Sequence, residues 1–320
     1  MRLFAIFCIA VFFSQSHAQD TFSIVAVDSA TGEVGSAGAS CLDDNIITGG
    51  VSIIKDVVPG VGAINTQASY NATNQTEASI KLSQGWSATD IINWLVNNDA
   101  QNDSTRRQYG IARFDTSGGI STAAFTGSNC FDEKHHIVGP YYTIQGNILL
   151  GKYVLDSMEQ RFLNSSGPLA GRLMQALQGA NIPGADSRCL NEGVSSQSAY
   201  LTVASPNDPA GSPYLDLVVS QTAYGVEPID SLNQLFENWR LTSNERNSTA
   251  SSYFKASRRN KSIFFQGLSN NAQLSIYSLD GKLLTKGPLS NGGIEDPAAD
   301  RILILKIEQG SEVFIRKLAP

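Results

Sequence analysis

The sequence predicts an α+β layered sandwich followed by a small all-β module. Three observations carry that prediction. Strand-like runs come as antiparallel hairpins, first at residues 21–41 and again at residues 107–126. Stretches of helical period fall in blocks between those hairpins and not singly between strands, which argues against repeated βαβ units. After a polar, Ser/Asn-rich stretch the pattern is strand only, with an Asp280-Gly281 turn between apolar runs.

The hairpin at residues 21–41 heads the first domain. Ile24-Val-Ala-Val27 is a short apolar run with β-branched members, Asp28 to Gly32 supplies turn chemistry, and Val34 to Ala39 is slim enough for close packing. Residues 51–58 and 60–68 read as two strands around Pro59-Gly60. Residues 70–84 have helical period, and Ser87-Ala-Thr-Asp90 caps a further helix carrying Ile91, Trp94 and Leu95. Asp115-Thr-Ser-Gly-Gly119 joins strands 107–114 and 119–126. A short strand ends at Gly146, and helices are expected over 148–162 and 168–177, with Gly179 near the second one's end. Strands over 198–204 and 215–220 and a closing helix over 229–239 complete the domain. Residues 241–262 read as a polar linker. Residues 263–320 read as the β module, with hairpins at Leu274–Leu284 and Ile302–Leu318.

Composition narrows the setting. The chain has 320 residues, 42% hydrophobic and 16% charged, enough for one large core plus an accessory module. A formal net charge of -6 and the lack of a basic cluster before the C-terminal part exclude a nucleic-acid binder. Arg2, the apolar run from Leu3 to Phe13 and Ser16-His17-Ala18 form a signal peptide with a small-x-small cleavage site, so residues 1–18 are expected to be removed and the protein secreted or displayed at the cell surface. That run is too short for a membrane-spanning helix, and no later segment approaches the length, so no transmembrane segment is expected.

Downstream of that site stand Cys41, Cys130 and Cys189, an odd number whose pairing spacing does not decide. There is no CxxC, and only His135 and His136 lie beyond the leader, so no zinc or other metal site and no cofactor is expected. Glu133-Lys134-His135-His136 reads as a polar loop. A hydroxyl residue near a new N-terminus, at the head of a buried strand, can become a nucleophile whose base is its own α-amine, which singles out Thr21; Thr also commonly starts strands. Cys41 is far from any new terminus and reads as a packed or disulfide-bonded residue.

Several segments together resemble the domain-of-unknown-function family 1028, whose fold belongs with the N-terminal nucleophile hydrolases. They are Thr21-Phe-Ser-Ile-Val-Ala26, Pro59-Gly-Val-Gly-Ala-Ile-Asn-Thr-Gln-Ala68, Ala124-Phe-Thr-Gly127, Tyr142-Thr-Ile-Gln-Gly-Asn147, Ala185-Asp-Ser-Arg188 with Ser195-Ser-Gln-Ser198, and Tyr214-Leu-Asp-Leu217. The resemblance runs from Thr21 to Arg240 and implies a four-layer αββα sandwich and hydrolysis of an amide bond. Peptidoglycan-binding modules in some relatives point to a cell-wall or peptide substrate. Residues 263–320, through Leu274-Ser-Ile-Tyr-Ser-Leu-Asp-Gly-Lys-Leu-Leu284 and Phe314-Ile-Arg-Lys-Leu318, are similar to the C-terminal sorting domain of type IX secretion in Bacteroidetes-like bacteria. That similarity implies the secretion machinery as partner.

In the hydrolase reading Thr21 is the nucleophile and Asn147 the amide donor to the oxyanion. Asn147 could equally cap a helix starting at Ile148. Asp186 and Arg188 are expected to orient the site or grip an anionic small-molecule or peptide substrate, or else to form a plain ion pair. Ser195 joins them as a substrate-binding residue, with a turn role as its alternative. Lys55 stands roughly where threonine-type hydrolases carry a pKa-lowering lysine. A homo-oligomer is a further expectation. The other class of function is a catalytically inactive surface or ligand-binding protein on the same scaffold. Cleavage after Ala18 leaves Gln19-Asp20 ahead of Thr21, so a free amine on Thr21 requires shifted cleavage or trimming.

Overall fold

In the computed structural model of the chain the described residues are 21–242 and, further on, 255–259, 262–266, 272–278, 281–288, 294–298, 301, 303–309 and 312–318. The expected leader at 1–18, with Gln19 and Asp20, lies outside them.

The first hairpin is β1 (Phe22–Asp28) and β2 (Glu33–Ser40), paired antiparallel from Phe22↔Ala39 to Asp28↔Glu33. Its turn closes through Gly32 N–H donating to Asp28 O at 2.8 Å, with Gly32 at φ 73 where a side chain would be strained. A 3-10 turn over Gly50–Ile54 and β3 (Lys55–Val58) share the stretch read as one strand over 51–58; Gly49 and Gly50 at positive φ start the tight turn. Then come β4 (Gly62–Ala68), α1 (Ala72–Ser83) and α2 (Ala88–Asn97). Asn71 caps α1 by accepting from Thr73 and Asn74 N–H, and Ser87 caps α2 by accepting from Asp90 N–H, as its sequence predicts.

The second hairpin, β5 (Arg107–Phe114) and β6 (Ile120–Thr126), is followed by β7 (His135–Val138) and β8 (Tyr142–Gly146). His135 and His136 are therefore in a strand, not a loop, because β7 pairs with the inner strand β8. Helix α3 runs Tyr153–Asn164, not from residue 148: Ile148 has φ 50, outside helical space, and its N–H donates to Asp132 O. Helix α4 (Leu169–Gly179), β9 (Ser198–Ala204), β10 (Leu215–Val219) and α5 (Pro228–Thr242) complete this part.

Two antiparallel sheets result, one of order β10-β9-β2-β1-β8-β7 and one of order β3-β4-β5-β6. Strand alternation assigns each residue a face. On β1, Phe22, Ile24 and Ala26 pack against Leu155, Met158 and Phe162 of α3, Leu173 and Leu177 of α4 and Phe236 of α5. On the other sheet, Ile64, Tyr109 and Ile111 pack against Leu82 of α1 and Ile91 and Leu95 of α2. The inner faces meet, with Val25, Val27 and Val34 against Ala63 and Ala112 at one end. At the other end the inner faces carry polar side chains.

The β module has β11 (Lys255–Arg259), β12 (Ser262–Gln266), β13 (Gln273–Ser278), β14 (Leu283–Pro288), β15 (Ile294–Glu295), β16 (Leu303–Gln309) and β17 (Glu312–Leu318). They form sheets β11-β12-β15 and β14-β13-β16-β17 around Ile263, Leu274, Ile276 and the alternating Leu303, Leu305 and Ile307. Both expected hairpins are present. Within the stretch read as a linker, 241–262, α5 reaches Thr242 and β11 runs Lys255–Arg259, while 243–254 lie outside the described residues. Among the described residues no helix is long and apolar enough to cross a membrane.

Candidate active site

The polar end of the inner faces begins at Thr21. Asn147 N–H donates to Thr21 O at 3.2 Å, so Asn147 stands directly across from Thr21, one step beyond the Phe22↔Gly146 pair. Both are buried, at 1% and 0% exposure, and among the described residues Thr21 Oγ1 and Asn147 Oδ1 have no hydrogen-bond partner. Few buried polar atoms in a folded protein stay orphaned, and each asks for a reason.

Around this pair lies a lattice of uncharged amides and hydroxyls. Gln67 Nε2, from β4, donates to Thr21 O at 3.1 Å and to Gln108 Oε1, from β5, at 2.8 Å. Asn147 Nδ2 also donates to Gln108 Oε1, at 3.0 Å. Gln108 Nε2 donates to Gly146 O at 2.9 Å, His135 O at 3.1 Å and Thr126 Oγ1 at 2.9 Å. Ser23 Oγ donates to Gln67 Oε1 at 2.5 Å and accepts from Gln145 Nε2 at 2.6 Å. Gln145 fits because β5 carries Gly110: a Cβ there would overlap Gln145 Oε1 and stand 2.6 Å from Thr143 Oγ1. At the rim, Thr126 Oγ1 and His136 Nδ1 are 2.8 Å apart; burial, and then neighbouring His135, lower the His136 pKa.

Backbone strain borders this lattice. Ala68, just after Gln67, has φ 67, and Ile148, just after Asn147, has φ 50. A β-branched residue in that region is an outlier, and such residues cluster at functional sites.

The other predicted residues bond to other partners, with Asp186 bridging Leu149, two residues beyond Asn147. Asp186 is fully buried and accepts from Cys41 N–H at 2.8 Å and from Arg188 Nε and Nη2 at 3.0 and 2.6 Å. It also accepts from Arg188 N–H at 3.2 Å, so it caps the 3-10 turn Ser187–Glu192. The carboxylate is buried and Arg188 is exposed, so this fork ties the end of β2 to that turn with its guanidinium reaching the surface. The Cys41–Cys189 disulfide links the same two segments, while Cys130 Sγ donates to Arg107 O. Ser195 donates its Oγ–H and N–H to the Glu227 carboxylate, at 2.6 and 2.7 Å, and Glu227 also accepts from Ile229 N–H at the start of α5. Lys55 does not reach Thr21: its ammonium bonds Thr202 Oγ1 and Asp216, beside Ser36, whose strand partner is Val25 and not Phe22. Burial lowers its pKa, with Asp216 acting in the opposite sense. Asn147 caps no helix, since α3 begins five residues after Ile148, at Tyr153.

The structure therefore brings Thr21 and Asn147 together and sets Asp186, Arg188 and Ser195 into the supporting frame. Sequence reasoning missed Gln67, Gln108 and Gln145. Their signal was an uncharged amide at alternate positions of otherwise apolar strand runs, where a side chain is expected to be buried.

No curated protein matches the chain. A crystal structure of a protein from Silicibacter pomeroyi, assigned to the DUF1028 family model, is similar, with TM-score 0.55 and 26% identity over 70% of this chain and 91% of that one. The model described as "Family of unknown function (DUF1028)" matches residues 21–232, from Thr21 to within α5. The chain belongs to that family.

Proposed function

We propose that the protein is an exported amide hydrolase in which Thr21, as N-terminal residue of the mature chain, is the nucleophile. The observation that carries this is the buried Thr21 Oγ1 just ahead of β1, which, like Oδ1 of the cross-strand residue Asn147, has no hydrogen-bond partner among the described residues. Two facing antiparallel sheets with helices on each outer side support a four-layer αββα sandwich of the N-terminal nucleophile type.

In this mechanism Thr21 Oγ attacks the amide carbonyl and its proton passes to the Thr21 α-amine. The oxyanion draws on the Asn147 Nδ2 hydrogen not used by Gln108. The intermediate collapses as the ammonium gives its proton to the leaving amine, and an ester remains on Thr21. Water, deprotonated by the same amine, then releases the acid and restores the hydroxyl.

The Cys41–Cys189 disulfide supports an oxidising destination, hence export. The C-terminal module of two small sheets, from β11 onward, supports its proposed use as a type IX sorting signal; the substrate class proposed is a cell-wall or peptide amide. Deleting residues 263–320 should then retain the protein in the periplasm.

The test is a covalent trap. A β-lactone applied to the secreted protein should leave one adduct on Thr21, and Thr21→Ala should abolish it. Labelling that survives Thr21→Ala overturns the assignment.

A further inference from the structure

We infer that Asn147 has a second duty besides its donor role: its Oδ1 accepts a hydrogen bond from the α-amine of a chain beginning at Thr21, and Gln108 is the positioning residue that fixes it so. This rests on the nucleophile reading above and concerns how the base is held.

The orientation of the Asn147 amide is forced. Exchanging its Nδ2 and Oδ1 would set two acceptors against each other at Gln108 Oε1. Turning the Gln108 amide to compensate would take Nε2 away from Gly146 O and His135 O, two carbonyls that cannot become donors. Asn147 Oδ1 is thus left as an acceptor in the interior with nothing among the described residues to accept from.

What can donate to it is set by register. Asn147 N–H bonds Thr21 O, so the two residues form a cross-strand pair of the hydrogen-bonded kind. In such a pair the backbone nitrogen of each residue lies on its partner's side, and both side chains stand on one face. The nitrogen of Thr21 therefore belongs beside Asn147, and as a free terminus it gains N–H donors that a peptide nitrogen lacks.

The side chains of the lattice beside Thr21 are uncharged: Gln67, which bonds Thr21 O, and Ser23, Gln108, Gln145 and Asn147, which bond on from it or across from Thr21. Titratable groups stand at its margins, His136 through Thr126 and Gln108, and Asp186 with Arg188 at Cys41 N–H. Burial without a counter-charge favours the neutral amine, which is what a base requires. An amide oxygen orients that amine and moderates the fall in its pKa without trapping it as an ion pair.

The experiment uses the secreted protein and its Asn147→Leu and Asn147→Asp variants. Each N-terminus is sequenced, and the pH dependence of α-amine acetylation is followed by peptide mass. With Thr21 first, Asn147→Leu should lower the amine pKa by about 1 unit, a roughly 10-fold change in protonation equilibrium, and Asn147→Asp should raise it. A Thr21 terminus whose titration is unmoved in either variant overturns this inference and leaves the nucleophile reading standing. A chain beginning at Gln19 overturns both.

Discussion

Replacing Gln108 with Leu removes the hub of the inter-sheet lattice while keeping the side chain's volume close. Gln108 Oε1 accepts from Gln67 Nε2 and Asn147 Nδ2, and its Nε2 donates to Thr126 and to the carbonyls of His135 and Gly146. Gln67 keeps a second acceptor in Thr21 O, but the structure gives Asn147 Nδ2 no other. One buried N–H pair is fully orphaned and two carbonyls lose a donor. At about 1–3 kcal/mol for an unsatisfied buried group, with the weaker carbonyl losses partly relaxed, the expected cost is about 3 kcal/mol. For a domain of this size that lowers Tm by roughly 6–12 °C. Denaturant unfolding should show a lower midpoint at an unchanged m-value. A change below about 0.5 kcal/mol, the size expected of a surface substitution, would refute the view that the lattice holds the two sheets together.

Three further outcomes follow from the same structure. Reducing or replacing the Cys41–Cys189 link, which spans 148 residues, should cost about 5 kcal/mol by chain entropy, read as a denaturant midpoint with and without reductant; an unmoved midpoint would count against the link. Gly110→Ala should destabilise by about 2 kcal/mol or more, because its Cβ would displace Gln145, and full stability in thermal unfolding would contradict the packing described. Burial opposes ionisation of Asp99, but hydrogen bonds from Arg107, from the Asp103 and Gln101 N–H groups and from Asn74 outweigh it and hold its pKa well below the usual range. The folded value is the depressed one, so its stabilisation is complete above about pH 4, the unfolded value, and fades as pH falls towards the folded one. The stability gap between wild type and Asp99→Asn should therefore be full at pH 7 and shrink in acid; a gap that persists unchanged at pH 2 would contradict it.

Much of the fold was legible because it rests on local chemistry. The Asp28–Gly32 turn, the Ser87 cap and the Asp115–Gly119 turn each name their own structure. What escaped was set by tertiary pairing. His135 and His136 are polar enough for a loop and become a strand only because β8 offers an edge. Residues 148–152 have helical composition, yet Ile148 is drawn out of helical space by its bonds to Asp132 and Ser187. The site was half legible. Thr21 and Asn147 could be named from position and resemblance, whereas Gln67 and Gln108 come from the other sheet and reach the pair, and Gln145 beside it, only when the sheets face each other. Asp186 and Arg188 carry the residue types of a substrate clamp, and only the burial of the Asp186 carboxylate on Cys41 N–H, beside the disulfide, reveals its place in the frame.

The central claim is that Thr21 carries both nucleophile and base, so the identity of the first residue tests it most directly. Intact-mass and N-terminal peptide analysis of the secreted protein should find a chain that begins at Thr21 with an unmodified amine. A chain beginning at Gln19, or one whose first residue is cyclised, would contradict it.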